Sequence, residues 1–125
     1  MSRYSAIVMD HFQAPRNRGR IVDSNAIIGL DGVPGRGRYF VVYLKLSGKI
    51  VEKALFECNG CGVTIATGSI LTDMITNKSV SDCSELNVES LLTEMGGLPP
   101  DKRYCAEFAI FALRDAVRQA LSRLG

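Results

Sequence analysis

The residues with the most chemical reach in this sequence are its cysteines. Cys58-Asn59-Gly60-Cys61-Gly62 closes a strand-like run and opens a helix-like one, and Cys105 opens a second helix. Helix N-termini present free amide N–H groups and the positive end of the macrodipole, and both favour thiolate over thiol. Thiolate is the form that attacks sulfur or binds a soft metal. Iron–sulfur or zinc chemistry at Cys61 and Cys105 is therefore the leading expectation, although two thiols are too few to close a metal site alone.

The four thiols are not equivalent. Gly60 and Gly62 flank Cys61, leaving little bulk over its sulfur and allowing a sharp strand-to-helix turn, so Cys61 reads as functional. For Cys105 two readings stand level. One is a first-turn thiolate favoured by Lys102 and Arg103; the other is a core cysteine sharing a face with Phe108 and Ala112. Cys58 alternates onto the strand face of Ala54 and Phe56, which suits packing, yet strand and turn bring it near Cys61 as a spare ligand. Cys83, among Ser81, Asp82 and Ser84, has no evident partner and is expected to be incidental.

Other polar groups carry less. His11 is the one histidine and reads as a hydrogen-bonded structural residue. Arg16, Arg18, Arg20, Arg36 and Arg38 lack interleaved aromatic platforms, so a solvated surface is expected rather than a nucleic-acid interface. The net charge of +2 is too small to argue otherwise.

The elements that must position these residues follow from periodicity. Ser5 to Phe12 predicts a short helix with Ile7, Val8 and Phe12 as its apolar face, ending before Pro15. Ala26 to Leu30 predicts a short strand, and Asp31 to Gly37, with three glycines and a proline, a flexible loop. Tyr39 to Leu46 and Ile50 to Cys58 flank Ser47-Gly48-Lys49 and predict a hairpin. From Gly62 the period becomes helical, with Val63, Ala66, Ile70 and Met74 as its stripe and small residues such as Thr64 and Gly68 permitting close packing. Ser84 to Met95 suggests a shorter helix. Asp101 to Leu124 predicts a long one with Ile110, Leu113, Val117, Leu121 and Leu124 buried. The order predicts an α+β fold, a small antiparallel sheet covered by helices, with a long C-terminal helix.

Size and composition agree. A chain of 125 residues reads as a single domain spanning 1–125 with a core that needs no disulfide staples. No run reaches membrane-spanning length, and Met1-Ser2-Arg3-Tyr4 carries no apolar signal core, so a cytoplasmic chain with reduced thiols is expected.

Four segments, in order, resemble the NifU/IscU-like family, the scaffolds on which iron–sulfur clusters are assembled. Asp10-His11-Phe12-Gln13-Ala14-Pro15-Arg16-Asn17-Arg18-Gly19 is similar to an N-terminal Asp-His-aromatic-x-x-Pro-Arg-Asn-x-Gly signature. Gly32-Val33-Pro34-Gly35-Arg36-Gly37-Arg38 falls on Gly-x-Pro-x-Cys-Gly-Asp. Phe56 to Ser69 places Cys61 on the second ligand cysteine, and Leu98 to Cys105 places Cys105 on the third. The resemblance implies the fold, a non-enzymatic scaffold role and an iron–sulfur cluster or iron as cargo, with zinc as a further metal. It also implies a cysteine desulfurase as partner, an Hsp70-type chaperone contact through Leu98–Lys102, and a homodimer; membranes and nucleic acid are not implied.

The departures lie at the chemistry. Arg36 replaces the first ligand cysteine, Arg38 the aspartate after it, Tyr104 the histidine before the third cysteine, and Asp101 a valine of the chaperone segment. Cys61 and Cys105 remain, with Arg36, Arg38, Arg103 and Tyr104 beside them. Two such chains would offer four thiolates to one bridging cluster. Arg36 and Arg38 are expected to lower the thiol pKa values and offset cluster charge. A metal-free partner-binding or regulatory module for the desulfurase, and a persulfide carrier, are the alternatives.

Overall fold

The computed structural model describes residues 3–125; the expectation made for Met1 and Ser2 lies outside them. A three-stranded antiparallel sheet, ordered β1 (Ile27–Val33), β2 (Arg36–Ser47) and β3 (Ile50–Asn59), forms one layer. Helices α1 (Ala6–Gln13), α2 (Gly62–Ile75), α3 (Val80–Ser84), α4 (Val88–Met95) and α5 (Arg103–Leu124) supply the other, with a 3-10 turn over Pro100–Lys102 ahead of α5. The predicted α+β arrangement with a long C-terminal helix is what forms. No helix among the described residues is long and apolar enough to cross a membrane.

α5 packs across β1 and β2, α2 covers β3, and α1 lies on α2. The close approach of α5 to β1 has a specific cause: a Cβ at Gly29 would overlap the Ala112 carbonyl and Ala116. The buried face of α5 is accordingly rich in alanine, with Ala106, Ala109, Ala112, Ala116 and Ala120 fully covered beside Ile110 and Leu113. Leu121 and Leu124, expected in the stripe, are instead exposed. Small residues set the helix so close that the buried face follows the alanines rather than the largest side chains.

Four further expectations are revised. The stretch from Asp31 to Gly37 is a tight hairpin rather than a loop: β1 runs to Val33 and β2 begins at Arg36, with a register shift at Gly32/Val33. Gly32 supplies the positive φ of 82° that lets the strand end continue pairing. The helix expected over Ser84 to Met95 starts later, as α4 at Val88, and a separate short helix, α3, ends at Ser84 before it. Asn87 sets the start of α4 because its side chain accepts from Ser90 N at 2.9 Å, while Ser90 Oγ accepts from Asn87 N at 2.8 Å, a capping box. In α1 only Val8 is buried, while Ile7 and Phe12 stay largely exposed. Cys83, expected to be incidental, is a core residue at 2% exposure.

The segment after α1 is tied into the sheet and onto α2. Asn17 O accepts from Phe56 N and Gly19 N donates to Phe56 O, both at 2.9 Å. His11 Nδ1 and Arg16 N converge on Ser69 Oγ at 2.7 and 2.8 Å. His11 is thus the hydrogen-bonded structural residue its sequence context suggests, and burial, with Arg16 adding to it, holds its pKa below the ordinary value.

Candidate functional site

Cys61 is the N-cap of α2, with extended backbone and an exposed side chain at the junction where β3 hands over to the helix. The turn into α2 is shaped by close contact, since a Cβ at Gly62 would overlap the Phe12 ring. Cys105 lies in the first turn of α5 and is fully buried. Forty-odd residues separate the two in sequence, yet one hydroxyl joins them. Thr64 Oγ1 lies 3.7 Å from Cys61 Sγ and 3.3 Å from Cys105 Sγ.

A cation and a phenol complete the cluster. Lys102 Nζ donates to Cys61 Sγ at 3.9 Å. Tyr104 lies near both sulfurs, and their charges push its pKa up, Cys105 foremost. Arg38, from the start of β2, lies with its guanidinium 4.7 Å from the Tyr104 ring centroid and 4.9 Å from that of Phe108. These two rings meet edge to face at 5.7 Å. The hairpin tip is held from its other side by Asn59 Nδ2, which donates to Gly37 O at 2.7 Å. Cation–π contacts thus dock the β1–β2 hairpin against the start of α5, and the Asn59 side chain ties it to the end of β3.

The electrostatics divide the thiols. Partial burial works against ionisation of Cys61, but its surroundings outweigh it and bring the pKa down to about 7. The Thr64 N–H and hydroxyl, the Val63 N–H and the Lys102 charge all favour thiolate. Those amides point at the sulfur without closing a full capping hydrogen bond. Cys105 moves the other way. Burial raises its pKa, the Thr64 hydroxyl pulls it back in part, and the neighbouring Cys61 raises it further. Cys58 is half-buried opposite Phe40 in the β2–β3 ladder, and burial pushes it up to about 11 despite Arg18. At neutral pH, then, Cys61 is partly thiolate while Cys105 and Cys58 are thiols.

Several sequence-based assignments are refined by this. The helix-start argument holds for Cys61 but not for Cys105, where burial overrides the dipole. The cation beside Cys61 is Lys102. Arg38 is held on the aromatic pair, the exposed Arg36 side chain at the hairpin makes no hydrogen bond or ion pair among the described residues, and neither is among the groups that shift the thiols. Arg103, expected to favour the Cys105 thiolate, pairs with Glu89 at 2.6 Å instead. Thr64 was legible only as a small packing residue. Its place three residues after the N-cap is the spacing at which a side chain reaches back to the cap, and that spacing was the available signal. Among the described residues no three Cys, His, Asp or Glu side chains stand close enough together to hold a metal ion.

Comparison with known proteins shows the family of the chain. The model of the NifU-like N-terminal domain matches residues 3–124. An iron–sulfur cluster assembly scaffold protein of Archaeoglobus fulgidus, IscU 1, is 36% identical over 114 residues, which cover 91% of this chain and 74% of that protein. The IscU scaffold protein of Haemophilus influenzae is 32% identical over 125 residues, covering 98% of each. The chain belongs to the NifU-like N-terminal domain family. Its fold is also that of a solved nitrogen-fixing NifU-like N-terminal domain from Brucella abortus, with a TM-score of 0.57 at 18% identity, covering 98% of this chain and 85% of that one.

Within the NifU-like fold, this chain gathers its chemistry at the meeting of α2, α5 and the β1–β2 hairpin. The Thr64 hydroxyl is its hinge, and a labelling experiment tests that role. Iodoacetamide at pH 7 is expected to modify Cys61 ahead of the other three thiols. Thr64→Val is expected to slow that labelling roughly five- to tenfold, because the thiolate loses a hydrogen bond and its pKa rises. Lys102→Met is expected to shift the labelling profile to higher pH by less, since an exposed charge is screened. An unchanged profile in Thr64→Val would remove the hydroxyl from the account.

Proposed function

We propose that this chain is an iron–sulfur cluster assembly scaffold-like protein in which Cys61 and Cys105 hold iron or a nascent cluster as cargo. The observation that carries the reading is the pairing of an exposed, thiolate-leaning Cys61 with a buried Cys105 through one hydroxyl. Membership in the NifU-like family and the scaffold relatives support it.

One chain offers two thiols at this point, and an all-cysteine cluster takes four. Cys61 is exposed, so two copies meeting there would bring four sulfurs together around a shared cargo. Lys102 beside Cys61 and Arg38 on the neighbouring aromatic pair would offset the negative charge that thiolates bring. Cys58 is the weaker third donor, since the Thr64 hydroxyl joins Cys61 and Cys105 but not Cys58; zinc, which takes four ligands, would face the same shortage.

The proposal extends to the setting. Residues 1–125 act as one domain, supported by a core drawn from all five helices and the sheet. The role is to hold and pass cargo rather than to turn over a substrate. A cysteine desulfurase supplies sulfur, an Hsp70-type chaperone contacts Leu98–Lys102, and the compartment is the cytoplasm, in keeping with four free thiols.

Anaerobic reconstitution with iron and sulfide tests the reading. Cluster absorption is expected with one cluster per two chains and a shift from monomer to dimer in gel filtration. A colourless protein with no bound iron would sink it. In that case the fixed Arg38 cation beside the thiols favours the metal-free docking module, whose capture of a desulfurase would be insensitive to Cys61→Ser. Sulfur added to either thiol after incubation with desulfurase and cysteine would point to the persulfide carrier.

A further inference from the structure

Cys61 and Cys105 differ in access as well as in ionisation. One sulfur is open to solvent at the lip of the site and the other is wholly covered behind it. Thr64 Oγ1 touches both, at 3.7 Å from Cys61 Sγ and 3.3 Å from Cys105 Sγ, so the two sulfurs flank a single hydroxyl. The outer sulfur belongs to the N-cap of α2, and the glycines on either side of it pack against Thr64 and Phe12. An accessible thiol in front of a covered one is the arrangement in which a mixed disulfide formed outside can be resolved from within.

We propose that Cys61 and Cys105 are a redox dithiol, Cys61 reacting with small disulfides and Cys105 resolving the adduct into an intramolecular Cys61–Cys105 disulfide. The Cys61 sulfur, as thiolate, attacks one sulfur of a low-molecular-weight disulfide RSSR. An S–S bond forms to Cys61 as the one within RSSR breaks, and RS⁻ leaves. The Cys105 sulfur then attacks the Cys61 sulfur of that adduct and passes its proton to the departing RS⁻. The net change oxidises two protein thiols to one disulfide and reduces one RSSR to two RSH. A dithiol reductant reverses it.

Resting on the scaffold reading, the consequence is a gate. The bonded sulfurs cannot ligate cargo, so an oxidising environment closes the site and a reducing one reopens it. Cys58 is the competing partner, being three residues from Cys61 and near enough to feel the charge of both sulfurs, but it is half-buried in the β2–β3 ladder beside Arg18 and Tyr39. Cys83 lies on α3 and faces the core.

Metal-free protein incubated with oxidised glutathione, then denatured, alkylated and mapped by mass spectrometry, tests this. Wild type is expected to fall from four free thiols to two, with the bridge joining the Cys61 and Cys105 peptides. Cys105→Ser is expected to accumulate glutathione on Cys61, and Cys61→Ser to acquire neither bridge nor adduct. Cys61 is exposed, so that variant keeps its fold by circular dichroism and decides the matter even where Cys105→Ser does not fold. Retention of four thiols, a stable glutathione adduct on wild type, or a Cys58–Cys61 bridge would overturn the proposal. Because no iron is present, failure of cluster reconstitution leaves this result standing, and failure here leaves the scaffold reading standing.

Discussion

Cys61→Ala is expected to abolish cluster retention in reconstituted protein, while Cys58→Ala leaves most of it. The asymmetry follows from what each sulfur is in the folded chain. Cys61 is exposed and ionises near pH 7, because α2 amides, the Thr64 hydroxyl and Lys102 all favour the charged form. Cys58 sits half-buried in a strand, where burial holds it as a thiol up to about pH 11. Removing Cys61 from both copies leaves two buried Cys105 thiols, and two donors cannot complete a four-thiolate set. The pH dependence has a definite sign. Cys61 has a depressed folded-state pKa, so cargo binding through it weakens as pH falls through about 7. Absorbance of reconstituted protein across that range checks both statements. Equal loss in Cys58→Ala and Cys61→Ala would show that the strand cysteine is a ligand after all.

Phe56→Ala is expected to cost about 3–5 kcal/mol of folding free energy, the range for truncating a buried aromatic. Phe56 is fully buried, and its ring stacks on Phe40 with centroids 5.8 Å apart and planes 12° from parallel. The other side of the ring is pressed onto α2 so closely that a Cβ at Gly68 would overlap it. Its backbone also holds the Asn17 carbonyl and the Gly19 amide, the anchor of the segment leaving α1. The ring therefore sets the distance between β3 and α2, the two elements that flank Cys61. Urea denaturation should show the midpoint falling with little change in slope. A loss below about 1 kcal/mol would mean that α2 settles into the vacated space.

The elements were legible wherever a local rule decides them. Alternation marked β2 and β3, the change of period at Gly62 marked α2, and the order of elements marked the layers. The errors share one cause. Leu121 and Leu124 were expected inside because large apolar residues usually are, but α5 rides so low over Gly29 that alanines take the buried face. Asp31 to Gly37 was expected to be a loop because glycine and proline gather there, yet only Pro34 and Gly35 turn, while Asp31, Gly32, Val33 and Arg36 keep pairing. In each case a contact from another element outweighed the local preference.

The site divides the same way. Sequence by itself determined that Cys61 would cap a helix with its sulfur near free amides, since an N-cap and the turn after it are neighbours along the chain. It also placed Arg38, Lys102, Tyr104 and Cys105 in segments that the family brings together. Only the tertiary structure decided that Cys105 is a buried thiol, that Lys102 serves Cys61, that Arg38 stacks on Tyr104, and that Thr64 joins two sulfurs from different helices. Ionisation depends on burial and on charges a few ångströms away, and both are set by how α2 crosses α5. No pattern within a single segment records that crossing.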